Sequence, residues 1–143
     1  MVPFAAAFVL PSMPVLDPAA ATILVVEDEP TVCELAAEAL MDEGYRVLTA
    51  ADAWQAEAIL AAGSVDMLFT DIDLARNTNG LALARQARRL CPDLPVVYTS
   101  GGRAALAPCE AVPGSVFVPK PYRPHQLVAL TRDVLGAALL QHA

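Results

Sequence analysis

The chain holds 143 residues at 15.0 kDa, the size of one domain with little left over. Its 56% hydrophobic content, much of it Ala, Val and Leu, is enough to fill a core of packed helices and strands. Sixteen acidic residues against nine Lys and Arg give a net charge of -7, which argues against a nucleic-acid-binding surface.

Residues 1–20 are apolar and rich in Ala and Pro. The first basic residue of the chain is Arg46, so the positive start of a secretory signal is missing. Pro3, Pro11 and Pro14 interrupt the run well short of a membrane span. This stretch reads as a poorly ordered leader, with residues 21–143 as the folded domain and a cytoplasmic location expected.

From residue 21 onward, short apolar runs alternate with helix-period segments. The first strand is expected over Thr22–Val26 and ends on Glu27-Asp28. Pro30 suits the first turn of a helix, whose inner positions are Val32, Leu35, Ala36, Ala39 and Leu40 and which Gly44 stops. Tyr45–Thr49 reads as a second strand. Asp52 with Gln55 resembles a capping box and opens a helix carrying Trp54, Ala58 and Ile59, closed by Gly63.

The third strand, Asp66–Thr70, runs straight into Asp71. A polar loop follows to Asn79-Gly80, then a helix with Leu81, Leu83, Ala84, Ala87 and Leu90 that stops before Pro92. On that helix Arg85, Arg88 and Arg89 read as a solvated face. The fourth strand, Pro95–Thr99, is followed by a Gly- and Pro-rich stretch, 101–114, with room for a short or irregular helix. The fifth strand, Ser115–Val118, leads through Pro119-Lys120-Pro121 to a last helix from about Pro124. Cys33, Cys91 and Cys109 have neither disulfide nor metal-ligand spacing and read as free, mostly buried thiols. His125 and His142 stand near no acidic motif.

Five strands alternating with five helical segments predict an α/β protein with a parallel, doubly wound sheet in strand order 2-1-3-4-5. In such sheets, ligands bind beyond the carboxyl ends of the strands, where strands 1 and 3 diverge. Glu27, Asp28 and Asp71 fall at that place, with Thr99, Ser100 and Lys120 at the ends of the neighbouring strands. Alone, Glu27 and Asp28 would merely complement the start of a helix. Joined by Asp71 they repel unless a cation sits among them, and an all-oxygen set suits Mg²⁺. A cation and a lysine together favour phosphoryl transfer, with aspartate able to act as nucleophile. A Walker-type glycine loop is absent from the sequence, so a nucleotide is not the obvious donor.

The order and spacing of ILVVEDE at 23–29, DMLFTDIDL at 66–74, NG at 79–80, LPVVYTSG at 94–101 and FVPKPY at 117–122 resemble the receiver domain of two-component response regulators, a flavodoxin-like fold. The resemblance spans 22–140. It implies that Asp71 is the phospho-accepting residue, supplied by a sensor histidine kinase or a histidine phosphotransfer protein. It implies Mg²⁺ held by Asp28, Asp71, Glu27 acting through water, and the backbone carbonyl of Asp73. Lys120 would pair with phosphate, followed by a cis bond to Pro121. Thr99 would be the switch hydroxyl, with Ser100 beside it on the phosphate, and Phe117 the switch aromatic.

The resemblance thus points to a phosphorelay regulator of stand-alone type rather than an enzyme, catalysing only its own phosphorylation and dephosphorylation. It would switch conformation to dock a partner or relay phosphate, with a homodimer through strand 5 and the last helix as a further expectation. Four features depart from the family pattern. The loop after Asp71 lacks the usual proline and is about one residue longer than usual; Ser100 replaces a small alanine; Phe117 lacks a tyrosine hydroxyl; Asp73 adds charge beside the acceptor. Two other readings compete. Asp71-Ile72-Asp73 resembles the DxD of haloacid-dehalogenase-like phosphatases, yet the only acid after Lys120 is Asp133, where that family needs a metal-binding pair. The other is a pseudo-receiver that binds its partner without phosphorylation.

Overall fold

The structure, a computed structural model, describes residues 21–141. The expected leader, residues 1–20, and His142 lie outside them. Along the chain the elements are β1 (Thr22–Val26), α1 (Pro30–Asp42), β2 (Arg46–Ala50), α2 (Ala53–Ala62), β3 (Met67–Asp71), α3 (Gly80–Leu90), β4 (Val96–Ser100), β5 (Val116–Pro119) and α4 (Pro124–Gln141). All strand pairs are parallel and the order is β2-β1-β3-β4-β5.

Every residue of β1, β3 and β4 is buried, because helices cover both faces of the sheet. Alternate residues feed two cores. Leu24, Val26, Leu68, Val96 and Tyr98 meet α2 and α3 through Ala53, Ala56, Leu60, Leu83, Ala84 and Ala87. Ile23, Val25, Met67, Phe69 and Val97 meet α1 and α4 through Ala36, Leu40 and Leu127. Among the described residues, no helix is long and apolar enough to cross a membrane.

Several expectations need correction. Four helices are present among the described residues, not five, because 101–114 forms turns and bends. Gly101, Gly102, Pro108 and Pro113 deny that segment a helical ladder. It is held instead by the hydroxyl of fully buried Tyr98, which accepts a hydrogen bond from the Val112 N–H at 3.1 Å. The inner face of α2 is Ala53, Ala56 and Leu60, while Trp54 is 66% exposed. Cys91 and Cys109 are exposed and Cys33 is half-buried. Arg88 is not simply solvated: its Nε donates to the Leu94 carbonyl at 2.6 Å.

Strands β2 to β5 each begin and end one residue later than the apolar pattern suggests. The consequence at β3 is that Asp71 itself belongs to the ladder, in register with Thr99.

Candidate functional site

At the carboxyl end of the sheet, β1 and β3 are neighbours while their following helices leave to opposite faces. Glu27 continues β1, its N–H donating to Ala50 O at 3.0 Å. Asp71 ends β3, with the next N–H, that of Ile72, donating to Thr99 O at 2.9 Å. Both carboxylates are in residues only 6% exposed. Asp28 lies beside them on the solvent side. One carboxylate oxygen from each of Glu27, Asp28 and Asp71 falls within 4.8 Å of the others.

Lys120 enters from β5, at the far side of β4. Its N–H donates to the Ser100 carbonyl at 3.0 Å, fixing the backbone, and the bond to Pro121 is cis. The ammonium donates to Glu27 Oε1 at 2.6 Å and Asp71 Oδ2 at 2.8 Å. Burial pulls the Lys120 pKa down, but the hydrogen bonds to Asp71 and Glu27 outweigh it, so the net shift is upward. Burial pushes the Glu27 carboxyl up, only partly offset by Lys120 and by the Glu29 N–H, with the nearby Asp71 charge adding to the rise. Three carboxylates against one ammonium leave an excess of negative charge. This oxygen-only donor set fits a hard divalent cation.

Thr99 is 1% exposed, and its Oγ1 has no hydrogen-bond partner. Ser100 is fully buried, its hydroxyl accepting the Gly102 N–H at 3.1 Å. Asp73 is exposed, and its N–H donates to Asp71 Oδ1 at 3.3 Å. Phe117 sits opposite Tyr98 in the sheet, half-buried against the α2–α3 core. The structure therefore gathers Glu27, Asp28, Asp71 and Lys120 directly. Thr99 and Asp73 flank Asp71, while Ser100 and Phe117 stand further along β4 and β5.

Sequence reasoning missed five contributors: Gly80, Asn79, Arg76, Thr78 and Tyr122. A side chain at Gly80 would collide with the Asp71 carbonyl oxygen, so only glycine lets α3 start against the end of β3. Asn79 caps that start, its Oδ1 accepting the N–H groups of Leu81 and Ala82. The loop between them is pinned to α2: Arg76 Nε lies 3.2 Å from Asp52 Oδ2, and Thr78 Oγ1 accepts the Ala53 N–H. Tyr122 packs edge-on against Phe69, ring centroids 5.7 Å apart. Burial, with Glu27 nearby, pushes its phenol up to about 12. Asn79-Gly80 and Tyr122 stood in the quoted motifs, but their roles depend on neighbours distant in sequence.

Residues 23–132 match the family model described as the response regulator receiver domain. The nitrogen assimilation regulatory protein NtrX of Azorhizobium caulinodans is 39% identical over 122 residues, covering 83% of this chain and 27% of that protein. The phosphate regulon transcriptional regulatory protein PhoB of Pseudomonas aeruginosa is 33% identical over 118 residues, 80% of this chain and 51% of that protein. The chain thus spans from about a quarter to about half the length of these relatives. Among solved structures, a response regulator receiver protein from Sinorhizobium medicae superposes with a TM-score of 0.79 at 32% identity, over 83% of this chain and 97% of that one. With this sheet order and this acidic cleft at the strand ends, the chain belongs to the receiver domain family of two-component response regulators.

Proposed function

We propose that Asp71 accepts a phosphoryl group from a phosphohistidine, carried by a sensor histidine kinase or a histidine phosphotransfer protein, and that the charge gained reshapes the β4–β5 side of the domain. The observation that carries this reading is the double hydrogen bond of Lys120 to Asp71 and Glu27 beside an unpartnered, buried Thr99 hydroxyl. An oxygen of Asp71 forms a bond to phosphorus as the phosphorus–nitrogen bond breaks, and the imidazole leaves with the electron pair. Lys120 then holds a phosphoryl oxygen. Glu27, Asp28, Asp71 and the Asp73 carbonyl would hold Mg²⁺, which when bound offsets negative charge between the acids and the phosphoryl oxygens.

The phosphoryl group brings close to two negative charges and three acceptor oxygens. Thr99 Oγ1 supplies the missing donor by turning toward one of them, and Phe117 follows into the space beside β4. Ser100, whose hydroxyl is engaged with Gly102, borders the phosphoryl group rather than binding it first. The domain acts by docking a partner or passing phosphate onward, with β5 and α4 as the surface of a homodimer. Leu139 and Leu140 leave apolar area exposed on that helix.

Incubation with acetyl phosphate and Mg²⁺ tests the acceptor. We expect one phosphoryl group on the wild type by intact mass, none on Asp71→Asn, and loss of the label in EDTA. A wild type that takes no label would instead favour a binding module independent of phosphorylation. Sustained turnover of a phosphomonoester would favour the phosphatase. Light scattering with and without beryllofluoride checks the dimer; a mass fixed at the monomer under both conditions overturns it.

A further inference from the structure

The acids and the lysine of the cleft stand at or just past strand ends, where the sheet fixes them. Asp73 does not. It belongs to the loop 72–79, where an isolated antiparallel bridge pairs it with Asn79. Two hydrogen bonds close that bridge, Gly80 N–H to Ile72 O at 2.8 Å and Leu74 N–H to Thr78 O at 3.3 Å. They lie on either side of Asp73 and leave its own carbonyl outside the ladder. At the loop's tip, Arg76 and Asn77 are consecutive non-glycine residues with φ of 60° and 56°. Asparagine tolerates this left-handed region, but arginine adopts it at a cost and keeps it only where the surroundings hold it.

The hold comes from the start of α2. Arg76 Nε lies 3.2 Å from Asp52 Oδ2, in a side chain only 3% exposed, and Asp52 Oδ1 caps α2 by accepting the Gln55 N–H at 2.9 Å. Beside it the Ala53 N–H donates to Thr78 Oγ1 at 3.2 Å, and that hydroxyl donates to the Ala75 carbonyl at 2.7 Å. Two residues before Asp52, the Ala50 carbonyl accepts the Glu27 N–H at 3.0 Å. The corner between β2 and α2 therefore touches both sides of the cleft: Glu27 through Ala50, and the loop of Asp73 through Asp52 and Ala53. Resting on the reading that the Asp73 carbonyl joins Glu27, Asp28 and Asp71 around a divalent cation, we propose that Asp52 and Arg76 are positioning residues for that cation. Their ion pair, with the Thr78 bond beside it, keeps the loop ordered so that the Asp73 carbonyl is in place before the cation arrives. Neither side chain touches the cation. Each acts through the backbone it restrains, and loosening the pair adds the cost of ordering the loop to the cost of binding.

The test adds Mg²⁺ stepwise to the full chain and follows amide NMR shifts, the same spectra showing that each variant is folded. Asp52→Asn suits it, because asparagine caps a helix as well as aspartate does and only the charge is lost. It is expected to weaken Mg²⁺ binding about threefold, the size of a partly exposed ion pair. Arg76→Gln removes the other partner, from a side chain 70% exposed. By charge alone, losing a cation beside an acidic cleft would tighten Mg²⁺ binding; here binding weakens, about twofold. The double variant is no weaker than Asp52→Asn, since both changes break one pair. Amide exchange across 74–78 speeds up in each. Arg132→Gln also removes one positive charge, but from the pair with Glu43 at the far end of α1, and it does not weaken Mg²⁺ binding. Equal or tighter binding in Arg76→Gln, or a double variant whose loss is the product of the single losses, overturns the proposal. A wild type in which Mg²⁺ shifts no amide around Glu27, Asp28 and Asp71 overturns the cation reading and this proposal together. A wild type that binds Mg²⁺, with both single variants indifferent, overturns this one alone.

Discussion

Two buried hydroxyls among the described residues lack a partner, Thr99 Oγ1 and Thr131 Oγ1. A buried donor left unmade is costly, yet the two differ in what they could later reach. Thr131 lies on α4 away from the acids, and Thr99 pairs in register with Asp71. Replacing either by valine is expected to stabilise the unphosphorylated protein, by about 1 kcal/mol in urea unfolding. The difference appears on activation: Thr131→Val keeps the change in fluorescence or amide exchange triggered by beryllofluoride, and Thr99→Val loses it. At this scale the sequence was informative wherever an apolar run broke on a polar residue, as at Asp28, Asp71 and Lys120. It was silent where chemistry depends on a neighbour across space. Nothing in the order of residues tells that the Gly80 backbone presses on the Asp71 carbonyl.

Among the elements, the 101–114 segment separates what local pattern decides from what packing decides. β1, β3 and β4 were legible because strands buried on both faces carry continuous apolar runs, Ile-Leu-Val-Val, Met-Leu-Phe and Val-Val-Tyr. The inner face of α2 was not, because alanines lie all around it (Ala53, Ala56, Ala58, Ala61, Ala62) and periodicity fades when every side is small. The segment after β4 was recognisable as a poor helix, but its fastening to the core, through the Tyr98 hydroxyl and the packing of Leu106, Ala111 and Val112, leaves no local trace. Burial raises the Tyr98 phenol, partly countered by the Val112 N–H, so the hydroxyl stays neutral and able to accept. Tyr98→Phe keeps the ring and removes the acceptor. It is expected to cost about 1–2 kcal/mol and to speed amide exchange at Val112 and its neighbours well beyond the change seen in β1. Equal protection at Val112 in both proteins would show that the segment is held by other means.

At the scale of the whole molecule, the Lys120 ammonium ties the end of β5 to the ends of β1 and β3. Its folded pKa stands above the ordinary value of 10.5, so the ammonium stabilises the folded state fully below that pH. The contribution is then lost as pH rises through the raised value. Wild type should therefore exceed Lys120→Met in stability at pH 7 in EDTA, by about 2 kcal/mol for a partly exposed pair, and the gap should narrow above pH 10.5. Urea midpoints across that range check it; a gap constant with pH would mean Lys120 acts through packing alone. The same bond has a consequence for how the protein is made. Glu27 and Lys120 stand 93 residues apart, and the acids emerge from the ribosome long before the lysine does. A chain cut short of Lys120 has the three acids without the ammonium that joins two of them, and is electrostatically incomplete.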